Sequence, residues 1–198
     1  MTQLNLGENN TIRYCEFDSA DANALLLDGN SNSIYYNLFL NATTDAIEVD
    51  SLSNTIYNNV IYGNGNGIDV DTTVTIRNNI VWVSGTNDIN IKAGVTVTGG
   101  QNIFEDAAKA GDGTYSGTSL WAIDPLFTNA ANDDFTLTAS SPAINAGASV
   151  GLVLDYAGNT VPLPAGTNPD IGAYEYNQSI GYEKRFPRFL DFPKFKRH

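Results

Sequence analysis

Asn32-Ser-Ile34-Tyr-Tyr-Asn37-Leu-Phe39-Leu40 is followed, after a short polar run, by Asp45-Ala-Ile47-Glu-Val49-Asp50. The same sentence is then written again as Asn54-Thr-Ile56-Tyr-Asn-Asn59-Val-Ile61-Tyr62, with Gly67-Ile68-Asp-Val70-Asp71 behind it. The flanks continue it: Asn10-Thr-Ile12-Arg-Tyr-Cys15-Glu-Phe17 before, Val74-Thr-Ile76-Arg-Asn-Asn79-Ile-Val81 after. The anchors Ile12, Ile34, Ile56 and Ile76 are separated by 22, 22 and 20 residues. A repeat of that length, made of short alternating strands and Asn/Gly turns, cannot bury its apolar side alone. It must stack on its neighbours, so the chain reads as an all-β solenoid.

Within each coil the period-2 alternation of strands sends Ile34, Phe39, Ile47 and Val49 inward and Glu48 and Asp50 outward. Four inward columns result: Ile12/Ile34/Ile56/Ile76, Phe17/Phe39/Ile61/Val81, Leu25/Ile47/Ile68/Ile89 and Leu27/Val49/Val70/Ile91. A fifth column, Cys15, Asn37, Asn59, Asn79 and Asn102, falls at a bend. Asparagine tolerates the left-handed backbone that a sharp corner needs, and this predicts that backbone at the column itself. Stacked at the ~4.8 Å strand spacing, the side-chain amides can bond one another and satisfy polar groups turned into the core. Cys15, at the end of the ladder, reads as a small buried thiol.

These residues resemble the right-handed parallel β-helix of the pectate-lyase-like superfamily, over roughly residues 9–104. The resemblance implies about five coils, with 46–50 and its equivalents on a first sheet, 34–36 on a second and 38–40 on a third. The remainder is similar to a C-terminal closing region of secreted bacterial β-helix proteins. Its words are Asp124-Pro-Leu-Phe127, Asp134-Phe-Thr-Leu137, Ser141-Pro-Ala-Ile-Asn-Ala-Gly147, Asp155-Tyr-Ala-Gly-Asn159 and Pro169-Asp-Ile-Gly-Ala-Tyr-Glu-Tyr176. Such a region implies an irregular cap, about 105–176, and hence one domain over 1–176. The outward residues of the third sheet, Leu38/Leu40, Val60/Tyr62 and Ile80/Trp82, form an apolar stripe that calls for this cover. Residues 177–198 differ in kind, with Phe186, Phe189, Phe192 and Phe195 set among Lys, Arg, Pro187 and Pro193. They read as a basic aromatic tail, either a linker or a strap on the body.

Net charge is −12 over 198 residues, unevenly placed: −17 over residues 1–183 and +5 over 184–198. An acidic body speaks against nucleic acid and anionic membrane surfaces as partners. It suits neutral glycans, bound cations, or acidic glycans bridged by a cation. One cysteine excludes an internal disulfide, and no apolar run is long enough to span a membrane. No signal peptide is visible at Met1, where the chain enters a coil directly and reads as a piece of a larger, secreted or cell-surface protein.

In the superfamily it resembles, the polysaccharide groove runs along the first sheet. Two outward columns lie there: Leu26, Glu48, Asp69, Asn90 and Asp28, Asp50, Asp71, Lys92. Carboxylates on adjacent coils stand ~5 Å apart; such pairs raise a pKa or recruit a cation. Glu48, Asp50, Asp69 and Asp71 are accordingly a candidate Ca²⁺ set. Asp28, Asp50 and Asp71 equally suit turn capping. In the resembling lyases Ca²⁺ neutralises a uronate while Lys or Arg acts as base, which would fall to Lys92 or Arg77. On the second sheet Arg13, Tyr35, Tyr57 and Arg77 stand outward, where tyrosine faces can hold sugar rings and arginine a carboxylate. Cross-strand packing is the structural alternative. His198 is the only histidine, which removes His-based triads and His metal sites. Paired carboxylates on neighbouring rungs would match a retaining glycosidase, but the histidine-containing signature of β-helix pectin hydrolases is missing. The expectation is a non-catalytic polysaccharide-binding module of a secreted polysaccharide-degrading protein. A Ca²⁺-assisted lyase on uronic-acid polymers and a structural or adhesive fragment are the alternatives.

Overall fold

The computed structural model describes residues 3–177; of the tail expected from 177 onward, residues 178–198 lie outside the described part. Seventeen short strands wind into three parallel sheets. The first contains β1 (Leu4–Leu6), β4 (Leu25–Leu27), β7 (Asp45–Val49), β10 (Asn66–Val70) and β13 (Ile89–Ile91). The second contains β2 (Thr11–Arg13), β5 (Ser33–Tyr35), β8 (Asn54–Tyr57), β11 (Val74–Arg77), β14 (Thr96–Gly100) and β16 (Thr114–Ser116). The third contains β3 (Glu16–Asp18), β6 (Leu38–Leu40), β9 (Val60–Tyr62), β12 (Ile80–Trp82), β15 (Ile103–Phe104) and β17 (Leu120–Trp121). Each chain turn visits the sheets in that order, giving about six turns. A strand's neighbour in every sheet is its equivalent one turn away.

The register follows the apolar columns. Ile12, Ile34, Ile56 and Ile76 pair in series, as do Phe17, Phe39, Ile61 and Val81. The two first-sheet columns pair likewise from Leu25 to Ile89 and from Leu27 to Ile91. These side chains form one continuous buried core. A one-residue slip would turn each strand's apolar set outward, so burial fixes the register. The isoleucine column stops where Ile76 meets Gly99, at φ +134°; a Cβ there would stand 2.0 Å from the Ile76 carbonyl oxygen. The fifth coil therefore admits only glycine at this point.

The asparagine ladder forms. The backbone N–H groups of Cys15, Asn37, Asn59 and Asn79 donate to the side-chain oxygens of Asn37, Asn59, Asn79 and Asn102, at 2.8–3.0 Å. The left-handed residue, however, is the one before: Tyr14, Tyr36, Asn58, Asn78 and Gln101, all with φ between 51° and 58°. The corner turns one residue early, and that turn is what aims the next side chain into the core. Cys15 is exposed rather than buried, because no described coil stacks on its side of the ladder. A second ladder occupies the corner between first and second sheets, where the N–H groups of Asn10 and Asn32 donate to Asn32 and Asn54, both at 2.8 Å.

The closing segment lies on the outward face of the third sheet. Phe135, from the antiparallel pair β18 (Phe127–Asn129) and β19 (Asp134–Leu137), packs with Leu38, Leu40, Val60 and Tyr62. Leu137, Ala143 and Ile171 pack with Ile80, Ile103 and Trp82. The apolar stripe is thus covered, and Tyr62 and Trp82 belong to this second core. Two left-handed asparagines pin the cover. Asn58 donates to the carbonyls of Asp170 and Gly172 at 3.3 and 3.2 Å, and Asn78 exchanges bonds with the Ala148 backbone at 2.7 and 2.9 Å.

Candidate functional site

With the third sheet covered, the outward faces of the first and second sheets carry the candidate residues. On the first, Leu26, Glu48, Asp69 and Asn90 stand in register on successive strands. Asp50, Asp71 and Lys92 follow one residue past the strand ends, their N–H groups bonded to Leu27, Val49 and Val70 of the preceding coil. The structure adds a third column. Asn23, Asp45 and Asn66 precede the inward isoleucines and enter the same face: the Asn66 amide donates to Asp45 at 2.8 Å, and the Asn23 amide donates to Glu48. One coil on, the Asn90 amide donates to Asp69 at 2.6 Å. Lys92 forms an ion pair with Asp71.

The face is therefore a row of carboxylate–amide pairs repeating along the solenoid axis, ending in one ammonium–carboxylate pair. Partial burial raises the Glu48, Asp50 and Asp45 carboxyls above the usual carboxylate range, and their like-charged neighbours add to it. Of the neighbouring charges, Asp71 weighs most on Asp50, and Asp50 most on Glu48. The hydrogen bond from Lys92 to Asp71 holds the ammonium proton above its ordinary range. A lysine so placed stays charged at neutral pH and is poorly suited to act as a base.

The residues do not suit a calcium cage. Among the described residues no group of three or more carboxylates, thiols or imidazoles converges on a point where a metal could sit. Glu48 and Asp69, like Asp50 and Asp71, stand in file along the axis, whereas Ca²⁺ takes 6–8 oxygens around one centre. Amide donors already occupy oxygens of Glu48, Asp69 and Asp45.

On the second sheet Arg13, Tyr35, Tyr57 and Arg77 pair in series. The column ends where Arg77 meets Gly100. Arg13 donates to the Tyr35 hydroxyl at 3.5 Å, and its guanidinium lies 5.4 Å from the Tyr14 ring centre. Tyr35 also leans on the core under the closing segment and meets Tyr36 edge-on, ring centres 6.2 Å apart. Tyr57 and Arg77 are half-buried, and Arg77 Nε is shielded without a hydrogen-bond partner. Beside them Ser33, Thr55, Thr75 and Thr98 form a hydroxyl column in register. A shallow depression of about 210 Å³ lies there between Thr55, Thr75 and the turn residues Leu52 and Thr73.

The third acidic–amide column carried one sequence signal, an Asn or Asp two residues before each inward Leu or Ile at Leu25, Ile47 and Ile68. It is concealed because strand alternation would assign those positions to the core, like the inward isoleucines. Alternation breaks at that point, because β7 and β10 bury two residues in succession, Ala46–Ile47 and Gly67–Ile68.

No curated protein matches the sequence. A family profile described as the right handed beta helix region matches residues 3–160, which takes in the first turn, all three sheets and most of the closing segment. The repeat, the three parallel sheets and that match agree: the chain belongs to the right-handed β-helix family.

Proposed function

We propose that this β-helix domain binds polysaccharide without cleaving it, through the outward face of its first sheet and the adjoining second-sheet column of Arg13, Tyr35, Tyr57 and Arg77. The observation that carries this reading is the row of carboxylate–amide pairs, Glu48–Asn23, Asp45–Asn66 and Asp69–Asn90, along one face that none of the described segments covers. Such pairs offer acceptor and donor side by side, which suits the neighbouring hydroxyls of a sugar, and a polymer of repeating units meets a repeating row. Tyr57 supplies a flat apolar face with a polar tip beside them. The five carboxylates Asp45, Glu48, Asp50, Asp69 and Asp71 repel uronates and favour neutral or amino sugars. A place in a secreted polysaccharide-degrading protein belongs to the same proposal.

A Ca²⁺-assisted lyase is the weaker reading. It asks an acidic face to receive an acidic sugar, carboxylates in file to enclose a cation, and an ion-paired Lys92 to take up a proton. Affinity electrophoresis against neutral, amino and uronic-acid polysaccharides, with Ca²⁺ or with chelator, separates the readings. The expected result is retardation by a neutral or amino glycan, no unsaturated product in the near ultraviolet, and no chelator effect. Tyr57→Ala and Asp69→Asn should each weaken retention by about tenfold, ~1.4 kcal/mol, with far-ultraviolet circular dichroism unchanged. Absence of retardation by every glycan would overturn the proposal in favour of a structural or adhesive role.

A further inference from the structure

A second row runs beside Arg13, Tyr35, Tyr57 and Arg77 on the outward face of the second sheet. Thr11, Ser33, Thr55, Thr75, Thr98 and Ser116 stand in register on successive strands. Each coil contributes one hydroxyl, and the row advances by one strand spacing, ~4.8 Å, per coil. None of these side chains is buried. Strand alternation asks only that the positions face outward. It does not ask for the same functional group on every rung, and the equivalent row of the first sheet changes from Leu26 to Glu48, Asp69 and Asn90.

The hydroxyls are linked along the axis. Thr55 donates to Ser33 at 3.3 Å, and Thr75 and Thr98 share a bond at 3.1 Å. A hydroxyl has one donor and two acceptor sites, so one committed to its neighbour still turns a lone pair outward. The branching of threonine stiffens its first side-chain torsion, which sets these acceptors in place before a ligand arrives. Donors stand in the parallel row, where the shielded Nε of Arg77 has no hydrogen-bond partner. Tyr35 and Tyr57 pair there one strand spacing apart. Leu52, 55% exposed, is an apolar lip to the depression between Thr55 and Thr75. Neither row contains a carboxylate, on a body that is otherwise acidic.

We infer that the second sheet is a track for an extended, equatorially linked glycan chain lying along the solenoid axis, one sugar per coil. The inference rests on the glycan-binding reading above and adds the class and the direction of the chain. A chain of that linkage is a straight ribbon that advances by close to one strand spacing per sugar, with equatorial hydroxyls along its edges. One edge then meets the hydroxyl row at every rung, while sugar rings meet Tyr35 and Tyr57. An α-linked chain of the amylose type curves into a helix and leaves a straight row after a few sugars. A chain laid across the strands would meet one hydroxyl and one aromatic or arginine before running off the sheet, whose strands are three to five residues long.

Isothermal titration of the full chain with cello-, β-manno- and chito-oligosaccharides of two to eight sugars, against malto-oligosaccharides of the same lengths, tests the track. At least one equatorially linked series should gain affinity severalfold per added sugar up to about six, the number of rungs, and level off beyond. The malto series should show no such climb. Thr75→Val keeps volume and branching but removes the hydroxyl, and should weaken the hexasaccharide about fivefold. Thr75→Ser, which keeps the hydroxyl, should restore it. Thr98→Val and Thr98→Ser serve if circular dichroism shows that Thr75→Val does not fold. A plateau at two or three sugars, an equal climb in the malto series, or a folded Thr75→Val chain with undiminished affinity would each overturn the track. Retention that Asp69→Asn weakens and Thr75→Val does not would leave glycan binding standing and remove the track alone. No binding by any oligosaccharide and no retardation by any polysaccharide would remove both.

Discussion

Asn58 and Asn59 are adjacent, identical in type and opposite in role. Asn58 takes the left-handed corner and turns outward to hold the closing segment. Asn59 turns inward, and its amide donates to the carbonyls of Ile34 and Tyr57 and to the Asn79 side chain, at 2.9–3.0 Å. Its oxygen accepts the Asn37 N–H. Asn59→Ala should therefore orphan a buried amide and two carbonyls and cost about 3 kcal/mol, read as a fall in urea midpoint at unchanged slope. The ladder itself was legible, since Asn37, Asn59 and Asn79 recur at the coil period next to apolar anchors. The division of labour was not. In Tyr36-Asn37 and Gln101-Asn102 the corner residue is not asparagine, so composition alone points to the wrong member of the pair.

At the scale of elements, strands of two to five residues are held by register rather than by length, and the apolar columns exposed that register in the sequence. The outward stripe on the third sheet announced that a cover was needed, though not that the cover would be pinned by side chains from solenoid corners. Gly172 shows how close the fit is: at φ +99°, a Cβ there would lie 2.7 Å from Ile80 Cδ1, and its N–H donates to the Asn78 carbonyl at 2.7 Å. Gly172→Ala should weaken the seating of the closing segment by about 1–3 kcal/mol. An apolar dye should then bind more strongly to the stripe, with the strand signal in circular dichroism kept. The candidate face was half legible for a related reason. Glu48 and Asp69 alternate cleanly with Ile and Val, whereas Asn66 opens a strand that buries two residues in succession and Asn23 stands ahead of β4, so alternation does not tell side from side there.

The whole molecule is acidic, and burial or like charge raises its perturbed carboxyls: Asp45, Glu48, Asp50, Asp155, Asp170, Glu175, and Asp88 to about 6. Each contributes stability that is present below the unfolded carboxylate pKa and is lost as pH rises through the folded one. The melting temperature should accordingly be higher at pH 5 than at pH 8, as differential scanning calorimetry would show. A reversed order would mean that other groups dominate the proton linkage. One feature of the solenoid reaches beyond stability. At each rung of the ladder the backbone N–H of one coil donates to the asparagine oxygen of the next, so each coil offers its successor the socket it filled in its predecessor. Length is then quantised. Duplicating residues 34–55 would lengthen the rod by one strand spacing, ~4.8 Å, and add another Tyr-Asn corner and another Asp-x-x-Glu row without creating a new kind of junction. Over generations of gene duplication, the length of such a rod can be set by copying alone.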